Sequence, residues 1–188
     1  MVRVVALALT VVTGFSGLVY EVAWQKYLAV LLGSHSEATA AVLAIFLGAL
    51  ALGYALFGRV ARRLVDRAFE QGRPARLLVT YGCVEMAIGV YAFAFPLAFS
   101  GVQALSLALP VADSFFAFGI DVALCALLIG PPAVLMGATV PLLTQGLSRG
   151  LEDATRLHAL VYATNTAGAF AGALSTAFVL VPWLGLQG

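Results

Sequence analysis

The sequence predicts an all-α fold, a polytopic transmembrane helix bundle of about five spans. Composition is the first reason. Of 188 residues, 62% are hydrophobic and 10% are charged, with a mean hydropathy of +1.02, whereas soluble domains are about 45–50% apolar and about 25% charged. Patterning is the second. The apolar stretches run for about 20 residues without alternating, as membrane helices do and barrel strands do not. Together these exclude a soluble globular enzyme, a disordered tail and a nucleic-acid binder. Charge placement is the third reason. The 10 basic and 9 acidic residues nearly cancel, so position carries more information than net charge.

The first span is expected at 4–20, as an uncleaved anchor behind Arg3, since no small-residue cleavage site follows. Glu21, Gln25 and Lys26 then interrupt an apolar stretch that ends at Leu32. A single helix over 4–32 would be about 43 Å long, more than a bilayer core needs. Tyr20, Trp24 and Tyr27 share one helical face, and such rings favour the headgroup layer. Either the helix is long and tilted, or 21–32 forms a separate interfacial helix, with Gly14 and Gly17 permitting a bend; the second is the preferred reading.

Ser34 and Glu37 have capping-box spacing before the second span, 38–57. Arg59, Arg62, Arg63 and Arg67 follow it. The third span is expected at 77–99, behind Pro74 and Arg76. The fourth, 115–136, contains Gly130-Pro131-Pro132, with Pro141 beyond. Two consecutive prolines remove donors and crowd the preceding turn, so a break is expected there, with a simple proline kink as the alternative. The fifth span is 157–182. The ending at Trp183–Gly188, just past a helix, reads as a fragment of a longer protein or as a stand-alone relative of part of one.

Lys and Arg asymmetry sets orientation. The 59–76 connection holds six arginines, and the 136–157 connection holds Arg149 and Arg156. The connections 33–37 and 100–114 hold none. The arginine loops and the N-terminus are therefore expected in the cytoplasm, and the chain in a bacterial inner membrane.

Small residues at four-residue spacing let helix backbones approach closely in lipid. Ala40, Ala44 and Gly48 form one such row. Gly168 and Gly172 form a G-x-x-x-G, extended by Thr164 and Thr176, with Ala163, Ala167, Ala171 and Ser175 in parallel. These rows are expected to pack within the bundle, with packing on another membrane subunit as the alternative.

Ionisable groups in apolar runs are costly, at about 2.5–3.5 kcal/mol each on insertion scales, and so need a reason. Glu21, Glu85 and Asp121 are three such acids, and Asn165 adds a polar group between Thr164 and Thr166. A shared cavity of acids would suit a cation: a proton, a metal or an amine. The preferred reading is that each carboxyl is neutral or bonded to a helix backbone or hydroxyl, acting as interhelix glue. Cys83 and Cys125 read as small buried hydrophobes, and His35 and His158 lie at opposite span ends. No metal-ligand spacing, cofactor motif or catalytic apparatus is recognisable.

Five segments carry a family resemblance. They are Gly14–Trp24, Tyr81–Gly89, Leu135–Pro141, Tyr162–Ala169 and Pro182–Gly185. In that order they resemble the N-terminal membrane region of the bacterial membrane-fused spermidine synthase-like (polyamine aminopropyltransferase-like) proteins. The resemblance covers nearly the whole chain. It implies a non-catalytic membrane module that anchors or feeds a C-terminal soluble domain in the cytoplasm. In the family that domain has a Rossmann-like fold, with a glycine-rich loop for decarboxylated S-adenosylmethionine. No such glycine-rich motif occurs in these 188 residues. The alternatives are an accessory subunit of a larger membrane complex and a transporter-like module for a cationic amine.

Overall fold

The structure, a computed structural model, describes residues 2–33, 36–109, 114–148 and 150–185. Ser34 of the expected capping pair, His35 and Arg149 fall outside the described residues. Those residues form helices and no strand. The helices are α1 (Val2–Leu32), α2 (Ser36–Glu70), α3 (Leu77–Ala108), α4 (Ser114–Met136), α5 (Thr139–Leu147), α6 (Leu151–Ser175) and α7 (Val181–Leu184). A single π-helical turn, Thr176–Leu180, joins α6 to α7.

Five helical stretches are long and apolar enough to cross a membrane, with α4 and α5 counted as one and α6 to α7 as another. Each has 31 to 35 residues, or about 46–53 Å at the helical rise. That exceeds a hydrocarbon core of about 30 Å, so the ends reach the headgroup layers or beyond.

At three places the helices differ from the expected spans. The first concerns α1, which runs unbroken from Val2 to Leu32, so 21–32 is not a separate interfacial helix. Its aromatic row faces protein. Trp24 stacks on Phe95 with ring centroids 4.8 Å apart and on Tyr20 at 5.6 Å, and Tyr27 meets Phe99 edge-on at 5.1 Å. Burial of these rings continues the helix past the charged residues. The second concerns α3, which extends to Ala108 rather than ending at Phe99. Ser106 in the added turns donates a 2.6 Å hydrogen bond to Asp121 of α4.

The third concerns α4, which passes through Pro131 and Pro132. The break comes one turn later, at Gly137-Ala138, where the Ala138 N–H reaches back only three residues to Leu135. Pro132 cannot donate to the Leu128 carbonyl four residues earlier. The Tyr91 hydroxyl of α3 donates to that carbonyl instead. Pro141 lies in the first turn of α5, where its missing N–H would have had no helical partner anyway.

Two helix pairs frame the bundle. α1 packs on α6, and α2 packs on α4, while α3 lies against α4 and α5. Both pairs are glycine contacts. A Cβ at Gly168 would stand 2.0 Å from the Val11 carbonyl oxygen, and one at Gly14 would stand 2.1 Å from that of Asn165. A Cβ at Gly53 would stand 2.0 Å from the Val134 oxygen. The Thr10 and Thr164 hydroxyls, 2.5 Å apart, tie α1 to α6 beside these glycines.

The core divides in two along the bundle. One cluster, at the arginine-rich end, includes Leu77, Tyr81, Ile88, Leu142, Leu143 and Val161. The other, at the opposite end, includes Trp24, Phe46, Phe95, Leu128 and Ile129. Tyr20 and Met136 pack against both.

Candidate functional site

A cavity of about 280 Å³ lies at the level where the two core clusters meet. Glu85 of α3, Thr139 of α5 and Asn165 of α6 reach it, together with Thr13, Ser16 and Tyr20 of α1. Ile88 and Phe46, from opposite clusters, also line it, with Val12, Leu50 and Met136. Its wall is thus mostly apolar, with one carboxyl and no Lys, Arg or His.

Local structure explains how these groups meet. Glu85 is the ninth residue of α3, about 12 Å along it. The α4–α5 break at Gly137-Ala138 sets Thr139 at the start of a new helix, and its Oγ1 donates to Glu85 Oε1 at 3.2 Å. Gly14 and Gly17 of α1 also border the space. A Cβ at Gly17 would meet nothing within 4 Å, so α1 leaves room there, while Gly14 admits the α6 backbone.

Tyr81 stands one turn before Glu85, 6% exposed. Its hydroxyl faces the Glu85 carboxyl and the Thr13 hydroxyl but completes a hydrogen bond with neither. A buried polar atom without a partner costs about 1–3 kcal/mol. The Tyr81 hydroxyl is thus left unpaired behind Glu85, apart from the residues that line the cavity.

Of the four polar residues expected to share a site, Glu85 and Asn165 meet in this cavity. Glu21 and Asp121 do not line it. Asp121 accepts from Ser106, near the far end of α4 from Met136, which lines the cavity. Glu21 is half-buried on α1, next in sequence to Tyr20 but on another side of the helix, since successive residues turn by about 100°. Among the described residues, no three His, Cys, Asp or Glu side chains group as a metal site.

Thr139, Tyr81 and Thr13 were not singled out from sequence. Tyr81 had a usable signal, because residues four apart share a helical face. Thr139 had none, because its placement depends on where α4 breaks.

The expected packing rows separate. Gly168 and Gly172 both press on the α1 backbone, where a Cβ at Gly172 would stand 2.3 Å from the Phe15 oxygen. Ala40, Ala44 and Gly48 are exposed, and a Cβ at Gly48 meets nothing within 4 Å. Packing of that row inside the bundle is therefore corrected. The inward face of α2 is already filled by Ala38, Val42 and Phe46.

No protein-family model matches the chain, and no solved structure does. The polyamine aminopropyltransferase of Corynebacterium efficiens is 31% identical to it over 176 residues. The chain is similar to a polyamine aminopropyltransferase. The match covers 92% of this chain but 29% of that protein's length.

Proposed function

We propose that this chain is the membrane module of a spermidine synthase-like protein and that its Glu85 cavity binds a cationic amine. In this reading the N-terminus and the arginine-rich loops lie in the cytoplasm of a bacterial cell, where a soluble domain would be anchored or supplied. The single observation that carries the reading is the Glu85 carboxyl in a mostly apolar cavity that no basic side chain lines. An ammonium group has three donors and no acceptor. Glu85 supplies the charge, while the side-chain carbonyl of Asn165 and the hydroxyl oxygen of Thr13 supply further acceptors. The methylenes of an amine would lie along Val12, Leu50, Ile88 and Met136. The likeness to a polyamine aminopropyltransferase supports amines over other cations.

The test uses the purified chain in lipid nanodiscs, with spermidine or putrescine as probe and potassium chloride of equal ionic strength as control. Amine should raise the thermal midpoint of the parent beyond the salt effect, by mass action on the folded state. Glu85→Gln keeps shape and removes charge, so apparent affinity should fall about tenfold or more, as loss of one charge-assisted bond predicts. No amine effect in the parent, or an undiminished one in Glu85→Gln, overturns the reading.

The outward row Ala40, Ala44 and Gly48 supports a second reading, an accessory subunit of a larger membrane complex. Copurification with other integral subunits at fixed stoichiometry, lost in Gly48→Leu, would favour it.

A further inference from the structure

A second cavity, also about 280 Å³, lies at the arginine-rich end between α2, α5 and α6. Arg62 and Tyr54 reach it from α2, Thr144 and Gln145 from α5, and His158 from α6. Among the described residues, no carboxylate lines it. Arg62 is exposed and makes no ion pair among the described residues. The His158 ring is set edge-on against Tyr54 at 6.4 Å, which fixes its plane.

The second observation is Thr144. Helical threonines usually return their hydroxyl to a carbonyl three or four residues back. Thr10, Thr80, Thr164 and Thr176 do so here. Thr144 is 8% exposed, lines this cavity, and its Oγ1 has no partner. A buried hydroxyl left unpaired calls for an explanation outside the chain.

Arg62 lies five residues past Phe57, the end of the apolar run. That is about 7–8 Å beyond it along the helix, in the headgroup layer. A guanidinium fork, a hydroxyl, a primary amide and an imidazole all offer N–H or O–H donors. Such a set matches an oxyanion with several oxygens, and Arg–phosphate pairs are commonly bidentate. The volume admits a phosphate group with several waters, at about 30 Å³ per water.

We propose that this cavity binds a phosphate group. The chemistry is shared by a phospholipid headgroup and by free phosphate. Arg62 holds two phosphate oxygens, and Thr144 donates to a third. The site is distinct from the Glu85 cavity, and its test does not depend on amine binding.

The test measures phosphatidylglycerol retained by the full chain in native mass spectrometry, from detergent micelles doped with that lipid. The parent should retain it, and Arg62→Gln and Thr144→Val should each weaken retention about tenfold, as loss of a charge-assisted bond or of its hydroxyl partner predicts. Thr144→Ser, which keeps the hydroxyl, should retain it and shows that the cavity is intact. Arg63→Gln, exposed and outside the cavity, should change little. Displacement by millimolar inorganic phosphate assigns the site to the free anion. Retention against phosphate assigns it to the lipid. Equal losses in Arg62→Gln and Arg63→Gln, an unchanged Thr144→Val, or no binding of either probe to the parent overturns the proposal.

Discussion

The Tyr91 hydroxyl on α3 donates to the main-chain carbonyl of Leu128 on α4, the acceptor that Pro132 leaves empty. In a membrane no water is at hand to satisfy such a group. The pair therefore explains why α4 continues through two prolines. Tyr91→Phe should destabilise the bundle by about 1–2 kcal/mol, the range for an orphaned buried acceptor tempered by membrane double-mutant values. Pro132→Ala restores the helical N–H. In that background Tyr91→Phe should cost much less, and a double-mutant cycle measures the coupling. Additive losses would show that the hydroxyl does not serve the proline.

Glycine position should decide stability more than glycine spacing. Gly168→Ala sets a Cβ 2.0 Å from a backbone oxygen that cannot move alone. It should cost about 1–3 kcal/mol, as overpacking does. Gly48→Ala meets nothing and should be neutral or stabilising by up to about 1 kcal/mol through helix propensity. Steric-trap or thermal unfolding of both variants checks the contrast. Equal effects would mean that α1 and α6 do not meet as described.

Much of the bundle was legible in the sequence, because about 20 apolar residues in a row force a helix wherever backbone groups lack water. What sequence hid was facing. Ala40, Ala44 and Gly48 each lie two residues after Ala38, Val42 and Phe46, or about 200° around the helix. Both rows are apolar, so hydropathy cannot choose between them. Volume could have: Val42 and Phe46 fill the core, which leaves the small row outside. Gly53 is off that row by five residues, and so its contact with α4 carried no periodic signal. The prolines misled for a different reason, since the group that rescues Leu128 comes from another helix. Glu85 and Asn165 were found as costly residues in apolar runs. Their neighbours Thr139 and Tyr81 were not, because a hydroxyl near a helix end or on an aromatic ring costs little by itself.

The N-terminal arginine should act as a clasp. Arg3 bonds Asp153 near the start of α6 and donates at 2.9 Å to the Leu147 carbonyl at the end of α5. A cation there also meets the negative end of a helix. The pair is partly exposed, with side-chain exposures of 37% and 27%. Asp153→Asn should therefore cost only about 0.5–1 kcal/mol, less in high salt. Hydrogen exchange should rise at the first turns of α1 and α6 and stay unchanged near Trp24. A uniform rise would make the clasp global rather than local.

Orientation is open to a direct measurement. In a background lacking Cys83 and Cys125, Arg67→Cys should resist an impermeant thiol reagent added outside intact cells, and Gln103→Cys should react. This follows from the arginines crowded at one end of the bundle. The reverse pattern would place the phosphate-site end outside and remove the basis for a cytoplasmic partner.

Asp121 should separate glue from site. It accepts a 2.6 Å hydrogen bond from Ser106 and does not line the Glu85 cavity. Asparagine keeps an acceptor oxygen in the same place, so Asp121→Asn should preserve the bond and cost little. Ser106→Ala removes the donor and should cost about 0.6 kcal/mol, the average for interhelix hydrogen bonds in membranes. Neither change should alter stabilisation by spermidine, whereas Glu85→Gln should reduce it. The two acids are thus distinguished by one assay run on three variants. If Asp121→Asn lowers the amine effect as far as Glu85→Gln does, the acids act on a common cation, and the cavity at Glu85 is not the whole of its site.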